Sequence, residues 1–101
     1  MELEFLGQFG KVIPPQRVDL ANAHEFRQAL QSLFEQGCST IIIDCTDLAI
    51  IDSAALGTMV MFQKRLKERG GELKMINVRH SHIKNLFDMI ELDRIIQIER
   101  T

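Results

Sequence analysis

The chain has 101 residues, a formal net charge of -2 and an apolar fraction of 46%. That length suits one domain, residues 1–101, with a single core, and that apolar content argues against intrinsic disorder. The slightly acidic balance gives no electrostatic case for nucleic acid, and no apolar run approaches the ~20 residues of a membrane span.

Met1-Glu2-Leu3-Glu4 lacks the basic start and apolar core of a signal peptide, so a cytoplasmic domain is expected. Leu3 to Leu6 and Phe9 to Ile13 read as short strands, with Gly7-Gln8 as a hairpin turn. Pro14-Pro15 stops the second strand, because neither proline can donate to a ladder. Asn22-Ala23-His24-Glu25 has capping-box spacing. From there Ala23, Phe26, Leu30, Leu33 and Phe34 share one helical face up to Gln36, and Gly37 is a natural stop.

Thr40-Ile41-Ile42-Ile43-Asp44 is β-branched and apolar on both faces, which suits a central, covered, largely parallel strand. Cys45-Thr46-Asp47 is a polar break, and Leu48 to Ile51 leads into Asp52-Ser53. A helix is predicted from Ser53 to Arg69, with Ala55, Met59, Phe62 and Leu66 inward and Leu56 and Val60 widening the stripe. The basic run Lys64-Arg65-Leu66-Lys67-Glu68-Arg69 reads as a solvated helix face, and its cations suit the negative end of the helix dipole. Gly70-Gly71 ends that helix.

Leu73 to Val78 is a further strand. Ser81 can cap a short helix with Ile83, Leu86, Phe87 and Ile90 on one face. Ile95, Ile96 and Ile98 form a last strand or a packed tail. The order β-β-α-β-α-β-α fits an α/β sandwich with helices on one face, although crossovers could also cover both.

Chemistry concentrates at Asp52-Ser53. A serine at a helix N-terminus is a favoured cap, and it is also where an added phosphate meets free N–H groups and the positive helix end. Asp52 has no neighbouring acid or nucleophile system to act with, so it reads as a cap or a partner contact. Asp19 is either an acid favoured by the dipole at a helix start or a partner contact. Met61 is either packed or part of an adaptable interface. Thr46 and Thr58 are further hydroxyls near the same end of the sheet. Cys38 and Cys45 form no CxxC pair and are either small buried residues or a disulfide, with reduced thiols favoured. His24, His80 and His82 lack the companions of a tetrahedral zinc site. No P-loop, GxGxxG or Ser-His-Asp order is present, so no catalytic residue, cofactor or metal is expected.

Five segments in order carry a family resemblance: Arg17-Val18-Asp19, Ile41-Ile42-Ile43-Asp44, Asp52-Ser53-Ala54-Ala55-Leu56-Gly57, Gly70-Gly71-Glu72-Leu73 and Leu86-Phe87-Asp88-Met89-Ile90. With them the chain resembles the STAS domain, the fold shared by anti-sigma factor antagonists and the cytoplasmic tails of sulfate transporters. The resemblance implies a STAS-like α/β sandwich with a mixed four- to five-stranded sheet and helices packed mainly on one face. It also implies a regulatory protein that binds a kinase-type anti-sigma factor of the GHKL type while unphosphorylated. Phosphorylation of Ser53 would release it, and a PP2C-type phosphatase would reset the switch.

The partner surface implied in this way comprises Asp19, Asp52, Ala54, Ala55, Gly57, Thr58 and Met61. The chain departs from the family pattern at Ala54 and Ala55, where Ser and Gly are common, and at Glu91, where Gly is common. The turn before the first helix also differs, with Pro14-Pro15-Gln16 where Gly and an acid are common. A STAS adaptor or structural subunit without a switch, for example in a lipid-transport complex, is the alternative expectation.

Overall fold

The computed structural model describes residues 1–100. Strands β1 (Glu2–Leu6) and β2 (Phe9–Ile13) form the antiparallel hairpin, with Leu6 opposite Phe9 across the Gly7-Gln8 turn. Then follow β3 (Arg17–Val18), α1 (Ala23–Glu35), β4 (Thr40–Asp44), β5 (Ile50–Ile51) and α2 (Ser53–Glu68). The chain continues through β6 (Glu72–Val78), α3 (Ser81–Met89), a 3-10 turn at Leu92–Arg94 and β7 (Gln97–Arg100). The apolar end segment is therefore a strand.

Five strands form a mixed sheet in the order β1-β2-β4-β6-β7, parallel except for the β1–β2 pair. A separate parallel ribbon joins β3 to β5, with Arg17 opposite Ile50 and Val18 opposite Ile51. The crossovers β2-α1-β4, β4-α2-β6 and β6-α3-β7 all step the same way along the sheet. Right-handed crossovers of that kind set their helices on the same face.

Burial follows. Val12, Ile41, Ile43, Leu73 and Met75 are fully buried beneath the helices. Lys11, Ile42 and Lys74, which lie side by side in the ladder with the opposite pleat, are only partly covered. The expectation that β4 is covered on both faces is thus corrected: its β-branched run packs against helices on one side and stands half open on the other.

Two cap expectations also change. Asn22 occupies the N-cap of α1 but makes no side-chain cap bond. Its Oδ1 instead accepts from Asp19 N at 2.9 Å, and its Nδ2 donates to Arg17 O at 2.8 Å. The amide binds back into the preceding turn, so no reciprocal capping box forms. Ser81 is the first residue of α3, and His80 holds the cap position.

Helix α2 buries Ala55, Met59, Phe62 and Leu66, as its stripe predicts. Gln63 is buried as well, and its two ends are satisfied: Nε2 donates to Ile95 O at 2.7 Å and Oε1 accepts from Leu73 N at 2.7 Å. The basic run is more than a solvated face. Arg69 lies 3.6 Å from the centroid of the Phe34 ring and donates to Phe34 O at 2.9 Å, while Arg65 stacks near Phe34 and Phe62. These cation–π contacts tie α2 to α1.

The end of α2 explains its two glycines. Gly70 has φ of 82°, the left-handed conformation that ends helices without steric strain. A Cβ on Gly71 would overlap the carbonyl of Ser39, whose oxygen accepts from Glu72 N at 2.9 Å. Only glycine lets these backbones approach. Glu91 also has a positive φ, 53°, a backbone conformation that favours glycine.

Cys38 and Cys45 are free and buried. Burial pushes both thiols up, Cys45 to about 12.

Candidate functional site

The Asp52-Ser53 segment sits where the β3–β5 ribbon meets α2. The ribbon is held by backbone bonds: Ala49 N and Ile50 N donate to Gln16 O at 2.8 and 3.1 Å, and Asp52 N donates to Val18 O at 3.1 Å. Val18 and Ile51 point into the core. Period-two alternation then turns Arg17, Asp19, Ile50 and Asp52 outward. One step past the Val18–Ile51 pair, Asp19 and Asp52 leave the ribbon side by side. Residues far apart in sequence thus meet at the start of α2.

The cap of α2 is Asp52, not Ser53. Asp52 has extended backbone with φ -100° and ψ 174°, and its Oδ1 accepts from Ala55 N at 3.0 Å. Ser53 already has helical geometry and its side chain is exposed. The sequence sets two favoured caps in succession, and the extended Asp52 takes the role. A serine freed from capping keeps its hydroxyl available in the first turn.

The other expected contact residues divide. Ala54 and Gly57 are exposed, and nothing lies within 4 Å of where a Cβ on Gly57 would stand. Thr58 Oγ1 donates to Ala54 O at 3.1 Å, which commits its proton within the helix. Met61 is half-buried and packs against the core. Ala55 is corrected: it is 1% exposed and lies in the core, because it falls on the inward stripe with Met59 and Phe62. It offers no surface to a partner. On the outer face of α2, Ala54 differs from the serine of the family pattern by its missing hydroxyl.

Asp19 is used locally. Its Oδ1 accepts from Ala21 N at 3.0 Å, and its Oδ2 lies 3.6 Å from an Arg17 guanidinium nitrogen. Next to it stands Leu20, which sequence reasoning missed. It is 87% exposed, and Ile50 on the ribbon face is also exposed. The available signal was a large apolar residue in a turn, off the Phe26–Leu30–Leu33 stripe of α1. Val60, expected to widen the inward stripe, is corrected: it is exposed and continues the outer face of α2 from Ser53 and Gly57, three and four residues apart on one helical side.

Before the loop that leads to this segment, Asp44 is buried at the end of β4. Its Oδ1 accepts from Thr46 Oγ1 at 2.6 Å, Thr46 N at 3.1 Å and Asn77 Nδ2 at 3.0 Å, and its Oδ2 lies 3.5 Å from Lys11 Nζ. Burial pushes this carboxyl up, but the bonds from Thr46 and Asn77 with the Lys11 charge outweigh it, so its pKa lies below the ordinary 3.8. The network pins the loop that leads to Asp52. Among the described residues, no group of three or more His, Cys, Asp or Glu side chains is placed to hold a metal. Among the described residues, no helix is long and apolar enough to cross a membrane.

The family model of the STAS domain matches residues 2–101. The Bacillus subtilis anti-sigma-B factor antagonist is 37% identical over 81 residues, covering 80% of this chain and 72% of that protein. A solved structure of a candidate anti-sigma factor antagonist from Thermotoga maritima superposes with a TM-score of 0.87 at 23% identity, covering 99% of this chain and 86% of that one. SpoIIAA, a Bacillus cell fate determinant solved in its phosphorylated form, superposes with a TM-score of 0.73 at 18% identity, covering 96% and 88%. The five-stranded mixed sheet with three helices is the architecture these structures share. The chain belongs to the STAS domain family, with relatives named as anti-sigma factor antagonists.

Proposed function

We propose that residues 1–101 act as one STAS domain that antagonises a GHKL-type anti-sigma factor kinase in the cytoplasm and so regulates transcription. The unphosphorylated domain binds that kinase, phosphorylation of Ser53 releases it, and a PP2C-type phosphatase restores it. The domain is a binding module and kinase substrate without catalysis of its own. The observation that carries this reading is the exposed Ser53 in the first turn of α2, with Asp52 holding the cap beside it. The named relatives and the phosphorylated SpoIIAA structure support it.

The physics of release is simple. A phosphoserine adds about -1.5 to -2 charge at neutral pH. It would stand beside two acids, Asp19 and Asp52, at a surface that binding must desolvate. The helix N-terminus tolerates the charge, so the fold survives, while the contact weakens. Each ~1.4 kcal/mol of that penalty is tenfold in affinity.

The test mixes the purified domain with each GHKL-type kinase encoded in its own genome and ATP, and maps modification by mass spectrometry. Phosphate on Ser53 is the expected result, with Ser53→Ala binding constitutively and Ser53→Asp losing the partner. No phosphate on Ser53 with any of these kinases sinks the switch. Binding of Ser53→Asp as tight as wild type points instead to the adaptor role without a switch.

A further inference from the structure

We infer that Leu20 is the apolar anchor of the Ser53 surface, shaped to fill an apolar pocket on the protein that reads unphosphorylated Ser53. The inference rests on the partner reading above and adds the chemistry of the contact.

A single exposed leucine means little by itself, since folded proteins expose many apolar atoms. Leu20 differs in how it is held. At 87% it exceeds every other exposed large apolar side chain among the described residues, yet its backbone is pinned on both sides. Asp19 N donates to Asn22 Oδ1 at 2.9 Å, Ala21 N to Asp19 Oδ1 at 3.0 Å, and Asn22 N to Asp19 O at 3.1 Å. Asn22 Nδ2 donates to Arg17 O at 2.8 Å, which ties the turn to the ribbon. That ribbon is bonded in turn to the strand that carries Asp52.

The polar side chains of this turn bond chiefly within it. Asp19 serves Ala21 and Arg17, and the Asn22 amide serves Asp19 and Arg17. Beyond these bonds the turn presents the leucine side chain to solvent, with Ile50 exposed on the adjoining ribbon face. A matching site is therefore an apolar pocket. Because the turn is preorganised, little further ordering is needed on binding, which is the condition under which one buried side chain contributes most. Asp19 becomes a positioning residue that sets the angle of the anchor.

The experiment measures dissociation constants by calorimetry against the GHKL-type kinases of the same genome, with ADP and magnesium present. It uses wild type, Leu20→Ala, Leu20→Asp and Leu20→Met, each with its melting temperature. Leu20→Ala is expected to weaken binding about 10-fold or more, Leu20→Asp further, and Leu20→Met by no more than about 3-fold. Melting temperatures stay unchanged, since the side chain is exposed. A kinase that binds wild type and both Leu20→Ala and Leu20→Asp within about 2-fold overturns the anchor and leaves the partner reading intact. If no kinase binds wild type, the partner reading falls and the anchor with it.

Discussion

At its C-terminal end helix α2 is clamped: Gln63 bridges Leu73 and Ile95, Arg69 stacks on Phe34, and Gly71 presses against the Ser39 carbonyl. At its N-terminal end the same helix rests on a short ribbon and one carboxylate cap, while Ser53, Ala54 and Gly57 face solvent. One end holds a backbone contact at Gly71 that tolerates no added atom, and the other leaves a surface open. Stability and recognition are therefore separated along one helix. Substitutions near Gly71 should alter folding, and substitutions near Ser53 should alter binding at nearly constant stability.

The strongest way to break this comparison is Gly71→Ala. A methyl there meets backbone, so unfolding in urea should show a loss of about 3 kcal/mol or more. A loss under about 1 kcal/mol would mean that the clamp yields easily and the two ends differ less than their contacts suggest.

Asp44 gives the intermediate effect, and acid sharpens it. Its folded pKa lies below the ordinary value, so its contribution is present above the unfolded pKa and lost as pH falls through the folded one. Wild type should lose stability on acidification below about pH 4. Asp44→Asn, which keeps an acceptor for Thr46 and Asn77 but not the charge facing Lys11, should differ most from wild type near neutrality and converge with it in acid. Parallel pH profiles of thermal unfolding would remove Asp44 from the support of the switch end.

The smallest effects belong at the open end. Asp52→Ala should cost about 1 kcal/mol through the lost cap, and Ser53→Ala within about 0.5 kcal/mol. If calorimetric unfolding puts these values the other way round, Ser53 holds the helix and the assignment of the cap is wrong.

The periodic elements were legible in the sequence because burial leaves a direct trace in spacing. Phe26, Leu30 and Leu33 mark α1, and Ala55, Met59, Phe62 and Leu66 mark α2. The ribbon was not legible. Arg17–Val18 is too short to show alternation, and its partner Ile50–Ile51 lies a whole helix and strand away. Of the segment Leu48 to Ile51 that leads into Asp52-Ser53, only Ile50–Ile51 forms a strand. Asp52-Ser53 was visible as a pair, but which residue caps depends on a backbone angle that adjacent Asp and Ser leave undetermined. Leu20 escaped notice because exposure is a property of the assembled turn, not of the residue.

The two buried thiols bracket β4, Cys38 before it on the clamped side and Cys45 after it on the side of the loop to Asp52. Arg69 donates to the carbonyl of Cys38 at 3.4 Å, so that thiol belongs to the clamp. With burial pushing Cys45 up to about 12, its thiol stays protonated at neutral pH and shut off from solvent while the structure is closed. A thiol reagent then has to wait for the protein to open. The two thiols thus stand at opposite ends of the central strand, and labelling each with a thiol reagent would read how often each end comes apart.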